Sequence, residues 1–179
     1  MGRVMAEDVF EGIVAAHHAE IRRYLLRITA RPSDADDLSQ ETFLRGFRAY
    51  SSLPPDANVR AWLFAIATNL SRNHFRSRKR QRLAYAVVAA ETPVADGNWP
   101  DREALLGEAR ARAERIIAGL PVKQRLAFTM RKMHDLDYDA IGASLSCSPE
   151  SARAHVFQAV KKIRRGLDDG PPVETESTR

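Results

Sequence analysis

The sequence is short of several things, and each shortage narrows what the chain does. Its 179 residues include one cysteine, Cys147, so no intrachain disulfide forms and a reducing compartment is expected. No apolar run approaches the ~20 residues of a membrane span. The opening MGRVMAEDVFEG lacks the charged-then-apolar order of a signal peptide. Ala6 occupies the position where a myristoylated Met-Gly start needs Ser or Thr. These absences predict a cytoplasmic protein without membrane insertion. A Gly-rich phosphate loop and a nucleophile motif are also missing. His17, His18, His74, His134 and His155 form no metal-ligand spacing with Cys147. No enzyme, cofactor or small-molecule substrate is therefore expected. With no neighbouring thiol to resolve an oxidised form, Cys147 reads as a small structural residue rather than a redox sensor.

Acid is missing from residues 58 to 82, NVRAWLFAIATNLSRNHFRSRKRQR, where seven basic residues gather: Arg60, Arg72, Arg76, Arg78, Lys79, Arg80 and Arg82. Val59, Trp62, Leu63, Ile66 and Leu70 fall in one helical stripe that suits a core. The opposite side carries Phe64, Thr68, Arg72, Phe75, Arg78 and Lys79. A basic run alone reads equally well as a solvated helix end. Two aromatic rings among the charges favour nucleic acid, because cations neutralise phosphates and rings stack on unpaired bases. The net charge of +5 hides this unevenness. Basic blocks recur at 120–133 and 150–166, whereas acids collect at 34–41 and 135–139. Such alternation points to a polyanion partner and a separate protein contact.

In chain order, residues 7–29 predict a helix buried along Val9, Ile13, Tyr24 and Ile28, with Phe10, Val14, Ile21 and Leu25 widening the face. Pro32 stops it, and Ser33 is placed to cap the next helix. That helix, 34 to about 50, turns Ala35, Leu38, Thr42, Phe43, Phe47 and Tyr50 to a core. Asp37, Gln40, Glu41, Leu44 and Arg48 line its other side. A leucine amid acids is a docking signal, though single exposed leucines are common. Pro54 and Pro55 make 51–57 a loop, and Pro93, Gly97 and Pro100 make 83–102 a linker.

A helix over 101–119 and another whose apolar residues include Leu126, Met130 and Met133 precede the arrangement of a helix-turn-helix. Ile141 and Leu145 face in from its first helix, residues 146–148 turn the chain, and Ser148 caps a second helix with Pro149 at its first position. Ala152, Val156, Ala159 and Ile163 form the inner line. Ser151, Ala154, Gln158, Lys161 and Arg165 form the outer one, flanked by Arg153, His155 and Lys162. Short or hydrogen-bonding side chains near the start and bases towards the end suit a major groove. Any helical hairpin gives a similar pattern. The expected fold is all-α: two small helical domains, 1–82 and 103–167, joined by a flexible linker and followed by a disordered tail, 168–179.

DADDLSQETFLRGF (34–47) and RAWLFAIATNLSRNHFRSRKR (60–80) resemble region 2 of the extracytoplasmic-function (ECF) sigma factors. LPVKQRLAFTMRKMHDLDYDAIGASLSCSPESARAHVFQAVKKIRR (120–165) resembles their region 4. The resemblance implies a bacterial RNA polymerase subunit that recognises −35 and −10 promoter elements and helps melt DNA. It implies that Asp37, Gln40, Glu41, Leu44 and Arg48 dock on the clamp helices of the polymerase's largest subunit. Asn69 and Arg76, with the basic Arg72, Arg78, Lys79 and Arg80 around them, would meet the −10 region, beside a 51–57 loop that holds a flipped base. Arg125 and the outer face of 150–162 would meet the −35 element. An anti-sigma factor is a further implied partner. Asn73 replaces the usual Asp, and Glu150-Ser151-Ala152-Arg153-Ala154-His155 replaces Gly-Thr-Val-Lys-Ser-Arg, so the −35 sequence is not inherited. The competing reading is a decoy that binds an anti-sigma factor without DNA.

Overall fold

The computed structural model describes residues 2–86 and 106–168, which form seven helices: α1 (Gly2–Thr29), α2 (Pro32–Tyr50), α3 (Val59–Ala86), α4 (Leu106–Ala118), α5 (Val122–Met133), α6 (Tyr138–Leu145) and α7 (Pro149–Asp168). The predicted linker and tail lie largely outside the described residues, although α3 continues past the expected boundary at 82. No helix among the described residues is long and apolar enough to cross a membrane.

Helices α1, α2 and α3 form the first unit. Ile21, Tyr24, Leu25 and Ile28 of α1 pack with Ala35, Leu38 and Phe43 of α2 and with Leu63, Ala67 and Leu70 of α3. The buried Thr42 and Ser71 hydroxyls donate to the carbonyls of Leu38 and Ala67 one turn back, so both hydroxyls are satisfied within their own helices. Three local expectations fail. Helix α2 starts at Pro32 with Arg31 as its N-cap, and no side chain caps it; the pre-set φ of proline opens the helix without Ser33. Val9 and Phe47 are half-exposed, at 52% and 42%, because they sit at the edges of the α1–α2 contact.

In the second unit the helix-turn-helix is built as the residue pattern predicts. Asp137 accepts from the Ala140 N–H at 2.7 Å to start α6. Ser146 takes a left-handed φ of 54°, and the Cys147 N–H bonds the Gly142 carbonyl at 2.9 Å. A Cβ on Gly142 would stand 2.8 Å from the Cys147 carbonyl oxygen, so the turn requires glycine there. Ser148 then accepts from the Ser151 N–H, and Pro149 opens α7.

The two units close on each other along α3. Phe64 and Thr68, expected on the outer side of this helix, are fully buried. Helical periodicity separates two faces but does not say whether the second is also covered. Here the second unit covers it. The Phe64 ring lies 5.0 Å from the His134 imidazole and 4.9 Å from Tyr24, whose own ring meets His134 at 5.6 Å. Tyr24 Oη and Thr68 Oγ1 share a hydrogen bond of 2.7 Å, and burial pushes the phenol pKa up. Full burial of one such aromatic contributes about 1.5–3 kcal/mol.

A polar cluster finishes the seam. Arg60 Nε donates to Glu20 Oε2 at 3.0 Å, and its Nη2 reaches Glu20 Oε1 and the His134 carbonyl. His134 Nδ1 lies 3.1 Å from Glu20 Oε1. The Arg60 fork holds the Glu20 carboxyl at about 2, against burial and with help from His134. Burial lowers the His134 pKa despite Glu20, and its Nε2 is enclosed without a partner. The neutral ring that donates from Nδ1 fits this site; a second proton would put an unpaired N–H among the rings.

The groups around His134 are Glu20, Arg23 and Tyr24 of α1, and Arg60 and Phe64 of α3. Because its pKa is lowered in the closed form, the open or unfolded chain takes up the proton first as pH falls below 6.5. Stability then falls by at most about 1.4 kcal/mol per pH unit. The Glu20 contribution is full above 4.5 and lost between there and about 2. Urea midpoints are expected to drop between pH 7.5 and 5.5 in the native chain and to change less in His134→Gln. An equal drop in both would assign the effect elsewhere.

Candidate nucleic-acid interface

On α3, Asn69, Asn73, Arg76 and Arg80 are exposed at i, i+4, i+7 and i+11, a single row down one side of the helix. Lys79 and Arg82 stand exposed beside it. This row is the free basic surface of the first unit. Arg78 does not join it: its Nη1 donates to Asp34 of α2 at 3.0 Å, with His74 Nε2 3.3 Å from the same oxygen. Arg78 is thereby half-buried and its charge is matched, so it ties α3 to α2. The 51–57 loop precedes the row, with Ser51, Ser52, Pro54, Pro55 and Asp56 exposed.

Two further predicted contacts point inward, along the seam. Arg72 Nη1 approaches the Leu145 carbonyl at 3.4 Å and Ser146 Oγ at 3.5 Å, at the turn of the helix-turn-helix. Arg125 is only 9% exposed. Its guanidinium lies 4.8 Å from the Phe75 ring centroid, and Nη1 donates to the Ala118 carbonyl at 2.9 Å. Burial lowers its pKa, yet a guanidinium keeps its proton, so the pair is a cation–π contact between the units. Phe75 is thus covered by protein in this arrangement.

On α7 the outer line is free. Ser151, Arg153, Ala154, Gln158, Lys161 and Lys162 are exposed, while Ala152, Val156 and Ala159 are buried. His155 is half-buried, and burial, aided by Lys123, lowers its pKa, which favours the neutral ring. Arg153 stacks 5.0 Å from the Tyr138 ring, which Arg131 also approaches at 5.2 Å. The Glu150 carboxyl, at the α7 N-terminus, is held below its usual range by its own backbone N–H and by Ser148. One outward residue on α7 is absent from the sequence-based expectations: Phe157, 64% exposed, one turn after Arg153 and one before Lys161. Its position off the Ala152–Val156–Ala159 line is the signal that marks it. An exposed aromatic among basic side chains is suited to apolar contact with a thymine methyl.

Helix α2 presents a different surface. Asp37, Gln40, Leu44 and Arg48 are exposed in one row, and Glu41 is half-buried and paired with Arg45 at 2.6 Å. Leu44 and Phe47, both more than 40% exposed, edge a groove that Phe43 shares with Phe10 and Val14 of α1. Acid and apolar groups together suit a protein partner better than a phosphate backbone.

Residues 13–81 match the sigma-70 region 2 family and residues 110–163 match sigma-70 region 4, one for each helical unit. The chain is 27% identical over 165 residues to the RNA polymerase sigma-H factor of Pseudomonas aeruginosa, covering 88% of this chain and 86% of that one. It is 28% identical over 174 residues to the ECF RNA polymerase sigma-E factor of Escherichia coli K12, covering 90% and 91%. The chain belongs to the ECF sigma factors. Two solved structures share the fold of this ECF sigma factor. One is the sigma factor RpoE in complex with the anti-sigma factor NepR from Bartonella quintana (TM-score 0.71, 19% identity, 90% of this chain and 98% of that one). The other is CnrH in complex with the cytosolic domain of CnrY (TM-score 0.66, 22% identity, 92% and 91%).

Proposed function

We propose that this ECF sigma factor directs core RNA polymerase to promoters, reading a −35 element with α7 and a −10 element with α3, and that it helps to open the DNA. The observation that carries this reading is the pair of free basic rows. One lies on each family unit, and both are separate from the acidic and apolar row on α2. Region 2 docks on the polymerase clamp helices through Asp37, Gln40, Glu41, Leu44 and Arg48. Lys161 and Lys162 contribute phosphate contacts and register, while Ser151, Ala154, His155 and Gln158 face the bases. Asn69, Arg76, Lys79 and Arg80 follow the −10 strand, and the 51–57 loop captures an unpaired base.

The chain performs no covalent chemistry. Separating base pairs costs on the order of 1.4 kcal/mol per step. Base capture and backbone contacts offset that cost. A decoy that only binds an anti-sigma factor has no use for two exposed basic rows, so that reading is not favoured. A protein of this fold has been solved with the anti-sigma factor NepR, and an anti-sigma factor is proposed as a partner here.

Run-off transcription on a promoter library is expected to show initiation that requires both this chain and core polymerase; its absence would reject the reading. Leu44→Glu is expected to abolish core binding in a pull-down while helicity is unchanged, and unaltered binding would return the α2 row to solvent. Substituting Gln158 should shift preference at one −35 base by about 1–3 kcal/mol. Lys162→Ala should weaken binding evenly across sequences and reduce the salt slope by about one. If both act evenly, α7 is oriented differently in the groove.

A further inference from the structure

Residues 150–166 carry the basic side chains Arg153, Lys161, Lys162, Arg164 and Arg165 and a single acid, Glu150. Glu150 is the second residue of α7 and is exposed. It stands where the run Gly-Thr-Val-Lys-Ser-Arg has glycine, so the carboxylate is an addition to that pattern. A carboxylate on a helix turned towards a polyanion is unfavourable unless a donor meets it. Its surroundings therefore decide what α7 accepts.

Successive residues of a helix turn by about 100°. The side of α7 opposite the buried Ala152, Val156 and Ala159 thus carries Glu150, Ala154 and Lys161 on its midline, with Phe157 and Gln158 to either side. All five are exposed. Glu150 is the only charged group on the first two turns of that midline, and residues near the start of a recognition helix are the ones that meet base edges. The carboxyl is held ionised by its own backbone N–H and by Ser148. No Lys or Arg among the described residues forms an ion pair with it. Arg153, one turn on, instead sets its guanidinium 5.0 Å from the Tyr138 ring centroid, off to one side of the midline.

The major-groove edges of the bases meet such a group differently. Guanine shows two acceptors, N7 and O6, and thymine shows the O4 acceptor and a methyl, so both oppose a carboxylate. Adenine places its N6 amine beside the N7 acceptor, a pair that suits an amide. Cytosine shows only a donor, the N4 amine. We propose that Glu150 is a specificity-determining residue of this chain and selects a cytosine within the −35 element by accepting a hydrogen bond from its N4 amine. Phosphates repel the carboxylate at the groove rim and the N4 amine receives it on the floor, so one charge both favours cytosine and penalises guanine and thymine. Lys161 and Lys162, further along α7, hold the backbone while this choice is made.

The proposal rests on α7 as the reader of the −35 element, and the test separates the two. The full chain with core polymerase is given a promoter library randomised across the −35 element, and transcripts are sequenced. The native chain is expected to favour cytosine over guanine and thymine about tenfold at one position. Glu150→Ala should flatten that position to within about twofold and leave the others as they were. Glu150→Gln, which keeps the size of the side chain, should move the preference there to adenine, the base an amide reads through N6 and N7. Thermal midpoints by ellipticity report any loss at the helix N-terminus and have no bearing on which base is chosen. A cytosine preference that survives both variants would overturn the proposal. So would an even gain or loss across all sequences, which would make Glu150 a capping or repelling charge only. A native chain with no preference at any −35 position would reject α7 as the reader and this proposal with it.

Discussion

The rings of Tyr24 and Phe64 close around the imidazole of His134, so the two helical units share one apolar core. That contact requires α3 to be buried on two sides. Leu63, Ala67 and Leu70 occupy one line at i, i+4 and i+7; Phe64, Thr68 and Ser71 occupy the next, and all six are buried. Only a narrow side of the helix remains for solvent. The exposed row Asn69, Asn73, Arg76 and Arg80 lies there. The basic surface of region 2 is thus what double burial leaves over, and its straightness follows from the constraint on the rest of the helix.

The charges divide by position relative to the seam. Arg78 and Arg60 are spent within the fold, on Asp34 and Glu20. Arg125 and Arg72 are spent between the units. Arg76, Lys79 and Arg80 on α3, with Lys161 and Lys162 on α7, have no such engagement on the inner faces and stand exposed. A count of basic residues therefore overstates the surface that a polyanion meets in the closed form. Sequence-independent affinity scales with the phosphates neutralised, so Arg72 and Arg125 add little to it in this arrangement.

Much of this architecture is legible in the order of the residues alone. Local rules set the helix-turn-helix: Ser148 as a cap, Pro149 at the first helical position and the Ala152–Val156–Ala159 inner line all depend on nearby residues. The row Asp37, Gln40, Leu44 and Arg48 is readable for the same reason. What the residue order hides is long-range. Periodicity assigns Phe64 and Thr68 to the outside because it gives faces without naming their partners. Glu20, Arg60 and His134 are ordinary residues singly and acquire meaning only from pairing across the chain. Phe157 is a local exception, since its offset from the inner line already places it outward. Family resemblance supplies the roles proposed for the two units and says nothing about how the units meet.

With Tyr24, Phe64 and His134 in a shared core, the two units are one cooperative body. Trp62 reports the first unit, and far-UV ellipticity reports helices in both. In a Trp99→Phe variant, urea unfolding followed by Trp62 fluorescence and by ellipticity should give superimposable curves with one midpoint, the behaviour of a single cooperative unit. A Trp62 transition separated from part of the helical signal would show two units that fold independently, and would contradict the shared core around His134.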